Sequence, residues 1–336
     1  MHNIKWPKVI FGTSGLGNLY VVQSDTAKCA IVEACIHHSE KPAVFDSAGK
    51  YGAGLALETL GKCLRQLRVD PEDVLISNKL GWFRTELKTP EPTFEPGVWR
   101  DLKFDAVQRI SYNGIIECYE QGNELLNGYK ASLVSVHDPD EYIGRGQSQA
   151  ERDKLYGDVL DAYRALRDLK LRKVVEAIGI GSKDWRIIEK IANEVDLDWV
   201  MIANSMTVHS HPRELIAFME KLKNKGTAII NSAVFNGGYL TGSDYYNYQQ
   251  VNPASHPDLY RWRSRFYELC DVYNLSPAQV CVGFGLNAPG VVSIAMNTTN
   301  QKRVAHNVAM AEVEIPADFW TDMKTNGLID NTYMHF

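Results

Sequence analysis

The sequence lacks several features that would direct it to particular classes of function. No apolar run approaches the roughly 18–20 residues that span a bilayer. Lys and Arg total 36 against 41 Asp and Glu, a formal net charge of −5, so there is no general cationic surface for nucleic acid or acidic membranes. The start, residues 1–7, lacks the continuous apolar core of a secretion signal. We expect a cytoplasmic protein with neither nucleic acid nor membrane as a partner.

Cysteine motifs are also absent. Cys29, Cys35, Cys63, Cys118, Cys270 and Cys281 form no CxxC pair, and none lies beside a histidine at metal-ligand spacing. The first three lie in helical stretches with an apolar pattern, where a cysteine behaves as a small hydrophobic residue. We therefore predict packed, reduced thiols and no metal site.

What the sequence does contain is a regular alternation of two patterns. With 336 residues, 45% of them hydrophobic, the chain is long enough for one large domain or two ordinary ones. Short apolar runs typical of buried strands occupy residues 9–12, 43–46, 74–79, 132–137, 174–180, 199–204, 227–232 and 291–295. Amphipathic helical stretches occupy 26–37, 55–67, 104–125, 155–169, 184–195, 212–223, 259–273, 277–286 and 301–311.

Alternating strands and helices imply a parallel sheet, either open and doubly wound or closed into a barrel. Eight units favour a (β/α)8 TIM barrel, and no linker or repeat interrupts it, so we predict a single domain over residues 1–336. Two connections, 81–101 after the third strand and 238–256 after the seventh, are long and rich in aromatic residues. Loops at the C-terminal face of such a barrel build the active site, so these two are candidate walls of a substrate pocket.

Three consecutive strands end in ionisable residues, Asp46, Lys79 and His137. A phenol, Tyr51, follows Asp46 by five residues, and neighbouring barrel strands bring such residues together. A tyrosine, whose ordinary pKa is about 10, exchanges a proton with a carbonyl oxygen only if a cation stabilises its anion. Lys79 can supply that cation, Asp46 can keep the lysine charged, and His137 can hydrogen-bond the reacting oxygen. The set suits carbonyl–alcohol interconversion, which also requires a nicotinamide cofactor.

These residues lie in recognisable motifs. Residues 45–61, FDSAGKYGAGLALETLG, resemble the D-[TS]-A-x-x-Y-G…E-x-x-L-G signature of the aldo-keto reductase superfamily. Residues 76–81, ISNKLG, and 136–140, VHDPD, resemble its lysine and histidine strands. The resemblance implies a catalytic tetrad of Asp46, Tyr51, Lys79 and His137. Within the superfamily, HDPD at 137–140, AIGIG at 177–181 and SAVFNGG at 232–238 are most similar to the branch of D-threo-aldose (L-fucose) and L-galactose 1-dehydrogenases, which oxidise free sugars to lactones.

The same resemblance implies a site for NADP or NAD. The segment 293–307 matches the part of the family that binds the adenosine end, with Arg303 and Asn307 at its R-x-x-x-N spacing. Asn297, followed by Thr298, stands where many NADP-preferring members have a lysine. The positions that hold the nicotinamide end are represented by Ser182, Asn204 and Ser232, together with Asp46. The missing lysine charge leaves NAD, NADP or both open.

Three alternatives remain at this stage besides a general aldehyde or ketone reductase. The loop GTSGLG at 12–17 suggests a dinucleotide-binding turn, but its spacing is not GxGxxG and no helix follows it directly. His209 and His211 have metal-ligand spacing and suggest a metal-dependent hydrolase on the same barrel. A non-catalytic subunit that only senses nicotinamide is the third. The oligomeric state is not indicated by the sequence.

Overall fold

A computed structural model describes residues 4–336. Met1–Asn3, part of the segment in which we expect no apolar core of a secretion signal, lie outside the described residues. The strands are β1 (Val9–Gly12), β2 (Ala43–Ala48), β3 (Val74–Leu80), β4 (Trp82–Glu86), β5 (Phe104–Gln108), β6 (Leu133–His137), β7 (Ala177–Ser182), β8 (Trp199–Ala203), β9 (Ala228–Ser232), β10 (Tyr245–Tyr246), β11 (Gln249–Gln250) and β12 (Val291–Met296). Eight of them close a parallel barrel in the order β1, β12, β9, β8, β7, β6, β3, β2. The predicted (β/α)8 barrel is confirmed, and each of its strands falls on a predicted apolar run.

The helices surround this barrel. They are α1 (Asp25–His38), α2 (Leu55–Gln66), α3 (Tyr112–Leu126), α4 (Pro139–Ile143), α5 (Gln149–Leu171), α6 (Trp185–Ala192), α7 (Arg213–Lys225), α8 (Pro257–Val272), α9 (Pro277–Asn287), α10 (Lys302–Met310) and α11 (Ala317–Thr325). Serine side chains cap α1, α3, α5 and α9 by accepting a backbone N–H of the first turn. The loop at 12–17 holds only a short 3-10 turn, Ser14–Gly17, and α1 begins eight residues later. That spacing rules out the dinucleotide-binding turn of a Rossmann fold at this place.

One predicted helix begins too early. Residues 104–108 form β5, which pairs antiparallel with β4, and the helix α3 starts only at Tyr112. The Ser111 hydroxyl accepts the N–H of Gly114, which marks the true start. The connection after β3 is therefore a hairpin with a long loop, placed at the C-terminal end of the barrel.

The barrel interior is closed at the N-terminal end of the strands. One or two side chains from seven of the eight barrel strands form a separate apolar cluster there: Ile10, Val44, Leu75, Leu133, Ala177, Trp199, Met201 and Ile230. Gly179 makes room for the largest of them, because a Cβ at this position would lie 2.2 Å from the Trp199 ring. This plug leaves the C-terminal end as the open side of the barrel.

The prediction for two cysteines is wrong. Cys29 of α1 and Cys63 of α2 form a disulfide, with their Cα atoms 5.0 Å apart, whereas Cys35, Cys118, Cys270 and Cys281 are buried free thiols. Helices α1 and α2 are neighbours on the barrel surface and pack against each other, so the two apolar faces bring the sulfur atoms together. Among the residues described, none of the helices combines the length and the apolar character needed to cross a bilayer.

Candidate active site

Strands β2, β3 and β6 are neighbours in the barrel and present three of the predicted residues at their C-terminal ends. Asp46 lies in β2, Lys79 is the next-to-last residue of β3, and His137 ends β6. Tyr51 lies in the turn between β2 and α2. In this turn Gly52 has φ +62°, and a Cβ there would lie 2.3 Å from the carbonyl oxygen of Gly17. The backbone therefore approaches the loop after β1 as only glycine allows.

The centre of the site is a buried ion pair. Lys79 Nζ lies 2.5 Å from Asp46 Oδ2, and both side chains are only 5% exposed. The Ser77 hydroxyl donates to the other carboxylate oxygen at 3.3 Å. Burial alone would lower the pKa of Lys79, but the charge of Asp46 and the contact with Tyr51 outweigh it, and the pKa is raised. Lys79 is thus a charged ammonium in a site that excludes most water.

Tyr51 lies against this ammonium. Lys79 Nζ is 4.8 Å from the centroid of the Tyr51 ring, and the Trp99 ring packs on the tyrosine at 5.8 Å between centroids. Burial raises the pKa of Tyr51 and the Asp46 carboxylate adds to this, while Lys79 acts to lower it. Burial outweighs the opposing effect of Lys79, so the net direction is upward. Tyr51 holds its proton at neutral pH, and Lys79 offsets part of the cost of releasing it.

His137 is the third side of the site. Its ring stands edge-on to Tyr51, at 5.6 Å between centroids and 83° between planes, and the residue is 3% exposed. Burial lowers its pKa well below the ordinary value, and the positive charges of Lys50, Lys79 and Lys183 lower it further. The imidazole is therefore neutral at pH 7. Its Nδ1 has no hydrogen-bond partner among residues 4–336, and its Nε2 lies 3.5 Å from a carboxylate oxygen of Asp138.

A second buried lysine borders the site and was not predicted. The Lys50 side chain is 5% exposed, and its Nζ lies 2.7 Å from Glu95, 3.2 Å from Glu141 and 3.5 Å from Asp138. We call these four residues the Lys50 cluster. Lys50 stands at an unspecified position of the Asp46–Gly52 motif, and Asp138 belongs to the HDPD match but was given no role. Glu95 comes from the loop after β4, and no sequence spacing indicates that it reaches Lys50.

Three of the predicted cofactor-binding residues lie at the ends of adjacent strands. Ser182 ends β7, Asn204 follows β8 and Ser232 ends β9. The serine hydroxyls donate to backbone carbonyls of Asp184 and Ile202, respectively. Asn204 is 8% exposed and its Oδ1 has no partner among the described residues. An unpaired, buried acceptor beside two hydroxyls fits the donor groups of a carboxamide such as that of nicotinamide.

The other predicted cofactor-binding residues lie around β12 and α10. The Asn297 side-chain amide donates to the Ser14 hydroxyl at 2.7 Å, which links the segment after β12 to the loop after β1. Thr298 turns its hydroxyl to the backbone of Asn300. Arg303 is exposed and Asn307 half-buried, one turn apart on α10 and hence on the same face. These residues lie at the same end of the barrel as Asn204, but no contact joins the two groups.

Both aromatic loops predicted to line the substrate pocket reach the site or its edge. The first loop reaches the site through the contact of Trp99 with Tyr51. The second loop reaches its edge through Tyr248, whose ring lies 5.6 Å from Lys183 Nζ.

His211 uses both ring nitrogens for hydrogen bonds, to the Thr207 carbonyl and from the Asp330 N–H. His209 bonds Tyr246 instead, so the two rings do not converge as a ligand pair.

Comparisons with known proteins identify the family. The model of the Aldo/keto reductase family matches residues 8–326. Pyridoxal 4-dehydrogenase from Microbacterium luteolum is 28% identical over 333 residues, 95% of this chain and 93% of the relative. D-threo-aldose 1-dehydrogenase from Pseudomonas sp is 27% identical over 336 residues, 96% of this chain and 94% of the relative.

Solved structures show the same fold. An aldo-keto reductase from Bacillus halodurans, in its holo form, superposes with a TM-score of 0.70 at 17% identity, covering 99% of this chain and 95% of that one. A glycerol dehydrogenase from Gluconobacter oxydans gives 0.69 at 14% identity, covering 99% and 96%. The family match spans nearly the whole chain, and aldo-keto reductases use NAD(P)H. The chain therefore belongs to the Aldo/keto reductase family and is an oxidoreductase that uses a nicotinamide cofactor.

Proposed function

We propose that Asp46, Tyr51, Lys79 and His137 are the catalytic residues and that the protein oxidises the hemiacetal carbon of a free sugar to a lactone. The observation that carries the assignment is the buried Lys79–Asp46 pair packed against the Tyr51 ring, with neutral His137 at its edge. A buried ion pair contributes little to stability because of its desolvation cost, whereas an ammonium held there can stabilise a charge that appears during the reaction.

The role of each side chain follows from its surroundings. In the oxidation Tyr51 acts as the phenolate: after releasing its own proton to solvent it takes the proton of the reacting hydroxyl, and Lys79 stabilises the phenolate while it exists. Asp46 keeps Lys79 charged. His137, neutral and facing the same space, orients the reacting oxygen by a hydrogen bond from Nε2. A bound nicotinamide supplies the hydride chemistry, which no side chain of the protein can provide.

The proposed substrate class rests on what two relatives act on. One is named for an aldose and the other for pyridoxal. Both compounds carry an aldehyde and a hydroxyl group placed to close a ring, so both form cyclic hemiacetals that give lactones when oxidised. An ordinary aldehyde or ketone lacks this ring. Reduction of such open carbonyl compounds is the second candidate function, since the four catalytic residues serve it equally well.

We further propose that the nicotinamide end of the cofactor is held near Asp46 by Ser182, Asn204 and Ser232. The buried, unpaired Oδ1 of Asn204 supports this assignment. The adenosine end is assigned to Asn297, Thr298, Arg303 and Asn307. Arg303 is the one cation of this second group, and Asn297 is uncharged and bonded to Ser14. A single cation favours the 2'-phosphate of NADP less than two would, so NAD and NADP are both accepted.

A substrate panel tests this proposal. Absorbance at 340 nm is followed with L-fucose, D-arabinose, L-galactose and butanal, each with NAD(H) and with NADP(H). We expect oxidation of at least one sugar, unaffected by a metal chelator. Loss of this activity with chelator and its return with zinc would contradict the proposal, because the dehydrogenase would then depend on a metal instead of on Tyr51 and Lys79 alone. Tight cofactor binding without turnover of any compound would instead indicate a sensor subunit.

A further inference from the structure

Asp138 occupies a position where an aspartate normally caps a helix, but it does not cap. It is the residue before α4, and it has a left-handed backbone, φ 44° and ψ 58°. A non-glycine residue in this region costs about 1 kcal/mol or more. An N-cap aspartate usually accepts a backbone N–H of the first turn, whereas the Asp138 side chain makes no such bond. The backbone turns the carboxylate away from its own helix.

The carboxylate is directed toward the catalytic residues instead. Asp138 Oδ2 lies 3.5 Å from His137 Nε2 and 3.5 Å from Lys50 Nζ, and the side chain is 15% exposed. Its charge is also felt at Tyr51, whose pKa it helps to raise. Burial raises the pKa of Asp138 itself to about 6, while Lys50 opposes this. At pH 7 the group is therefore a carboxylate beside the two side chains that face the reacting oxygen.

The Lys50 cluster leaves this carboxylate short of partners. Lys50 is closer to Glu95 and Glu141 than to Asp138. Glu95 also accepts the indole N–H of Trp99 at 2.6 Å. Glu141 also pairs with Lys183 at 2.6 Å. Asp138 has two long contacts, both through Oδ2 at 3.5 Å, with Lys50 Nζ and His137 Nε2, and no group of residues 4–336 donates a hydrogen bond to its Oδ1. The side chain is 15% exposed, so this oxygen is open to solvent and is free to accept a hydrogen bond from a bound molecule.

We propose that Asp138 is a specificity-determining residue that accepts a hydrogen bond from a hydroxyl group on the substrate carbon next to the reacting one. This inference rests on the proposed function, because the hydroxyl must belong to a molecule bound at Tyr51 and His137. An aldose carries such a hydroxyl at C2, and a simple aldehyde does not. A buried carboxylate discriminates against a substrate that leaves it unpaired, because its desolvation is then uncompensated.

The test uses two sugars that differ only at C2. D-arabinose carries the C2 hydroxyl, and 2-deoxy-D-ribose is the same pentose without it. Asp138→Asn keeps the size and tolerates the left-handed backbone, and Asp138→Gly removes the acceptor and is unstrained there. The matched control is Asp140→Asn, the same charge change two residues later, in the first turn of α4, at a carboxylate that accepts the N–H of Asp184.

We expect kcat/KM for D-arabinose to fall about tenfold in Asp138→Asn and roughly 10- to 100-fold in Asp138→Gly, the range of a hydrogen bond to a charged group. For 2-deoxy-D-ribose neither variant should lose more than about threefold, and a gain is consistent with removing a carboxylate that this sugar leaves unpaired. Asp140→Asn should stay within about threefold of the wild type with either sugar. The ratio of variant to wild type for each sugar removes the intrinsic difference in reactivity between the two compounds.

The other outcomes separate the two proposals. An equal loss on both sugars would mean that Asp138 acts by positioning His137, and no loss on either would mean that it does not meet the substrate. Both results overturn the inference while the sugar oxidation stands. If the wild type oxidises neither sugar but reduces butanal, the proposed function fails, and the assignment of Asp138 fails with it.

Discussion

Replacing Lys79 by methionine should damage stability and catalysis for two separable reasons. The variant leaves Asp46 as a buried carboxylate with only the Ser77 hydroxyl for a partner, since both side chains of the pair are 5% exposed. Removing one member of a buried ion pair costs about 3–5 kcal/mol in the free energy of unfolding. The double variant Asp46→Asn/Lys79→Met has no uncompensated charge, so most of this stability should return.

Catalysis should not return with it. Lys79 Nζ lies 4.8 Å from the centroid of the Tyr51 ring. If the phenolate charge is placed at this centroid, its attraction to the ammonium is about 3.5 kcal/mol at an effective dielectric constant of about 20. Its loss corresponds to a decrease in rate of two to three orders of magnitude, roughly. The pH optimum should also move upward, because the phenolate then forms without a neighbouring cation.

Urea unfolding and the rate at 340 nm measure the two effects on the same samples. Both the single and the double variant should lose the rate, and only the single variant should lose the stability. Recovery of the rate in the double variant would refute the role of Lys79 at Tyr51. A single variant as stable as the wild type would refute the account of the buried pair.

Three further changes test other parts of the site. Tyr51→Phe should retain cofactor binding, measured by titration of nicotinamide fluorescence, but lose most turnover; unchanged rates would contradict its role in proton exchange. Asn297→Lys should raise kcat/KM with NADP relative to NAD, since it adds a cation and removes the bond to Ser14; an unaltered preference would show that the 2'-phosphate is bound elsewhere. His137 has a lowered pKa when folded, so the unfolded chain binds its proton more readily and stability falls as the pH drops below about 6.5. Urea unfolding at several pH values should show that the free energy of unfolding of His137→Gln falls less with decreasing pH than that of the wild type. His209 and His211 are present in both proteins and contribute the same decline to each.

The barrel was predictable because its strands are apolar on both faces. A strand covered by the plug on one side and by helices on the other has no polar alternation, and residues such as Ala43–Ala48 are buried without exception. The site residues at the ends of these strands were predictable because they are polar residues in otherwise apolar runs. Asp46, Lys79 and His137 interrupt apolar runs, and a charge at such a point has few structural explanations.

The parts that were missed depend on contacts between distant segments. Residues 104–108 carry no clear strand pattern alone and become β5 only by pairing with β4. Cys29 and Cys63 are 34 residues apart and meet through the packing of α1 on α2. Helix α11 packs against α8 after the last barrel strand, where the alternation of strands and helices no longer guides the prediction. Each depends on which surfaces meet, a property of the closed barrel and not of local sequence.

The Lys50 cluster shows how such contacts complete a site that motifs only outline. Lys50 shares one positive charge among Glu95, Asp138 and Glu141. The same charge lowers the pKa of His137. If Lys50 were absent, three carboxylates would lie together in a partly dry space. Their mutual repulsion would favour protonation of Asp138, and their negative charge would favour protonation of the imidazole. The cluster therefore keeps Asp138 ionised and His137 neutral at the same pH. Under the proposed function, the imidazole donates a hydrogen bond and the carboxylate accepts one, which suits a substrate with adjacent oxygen atoms.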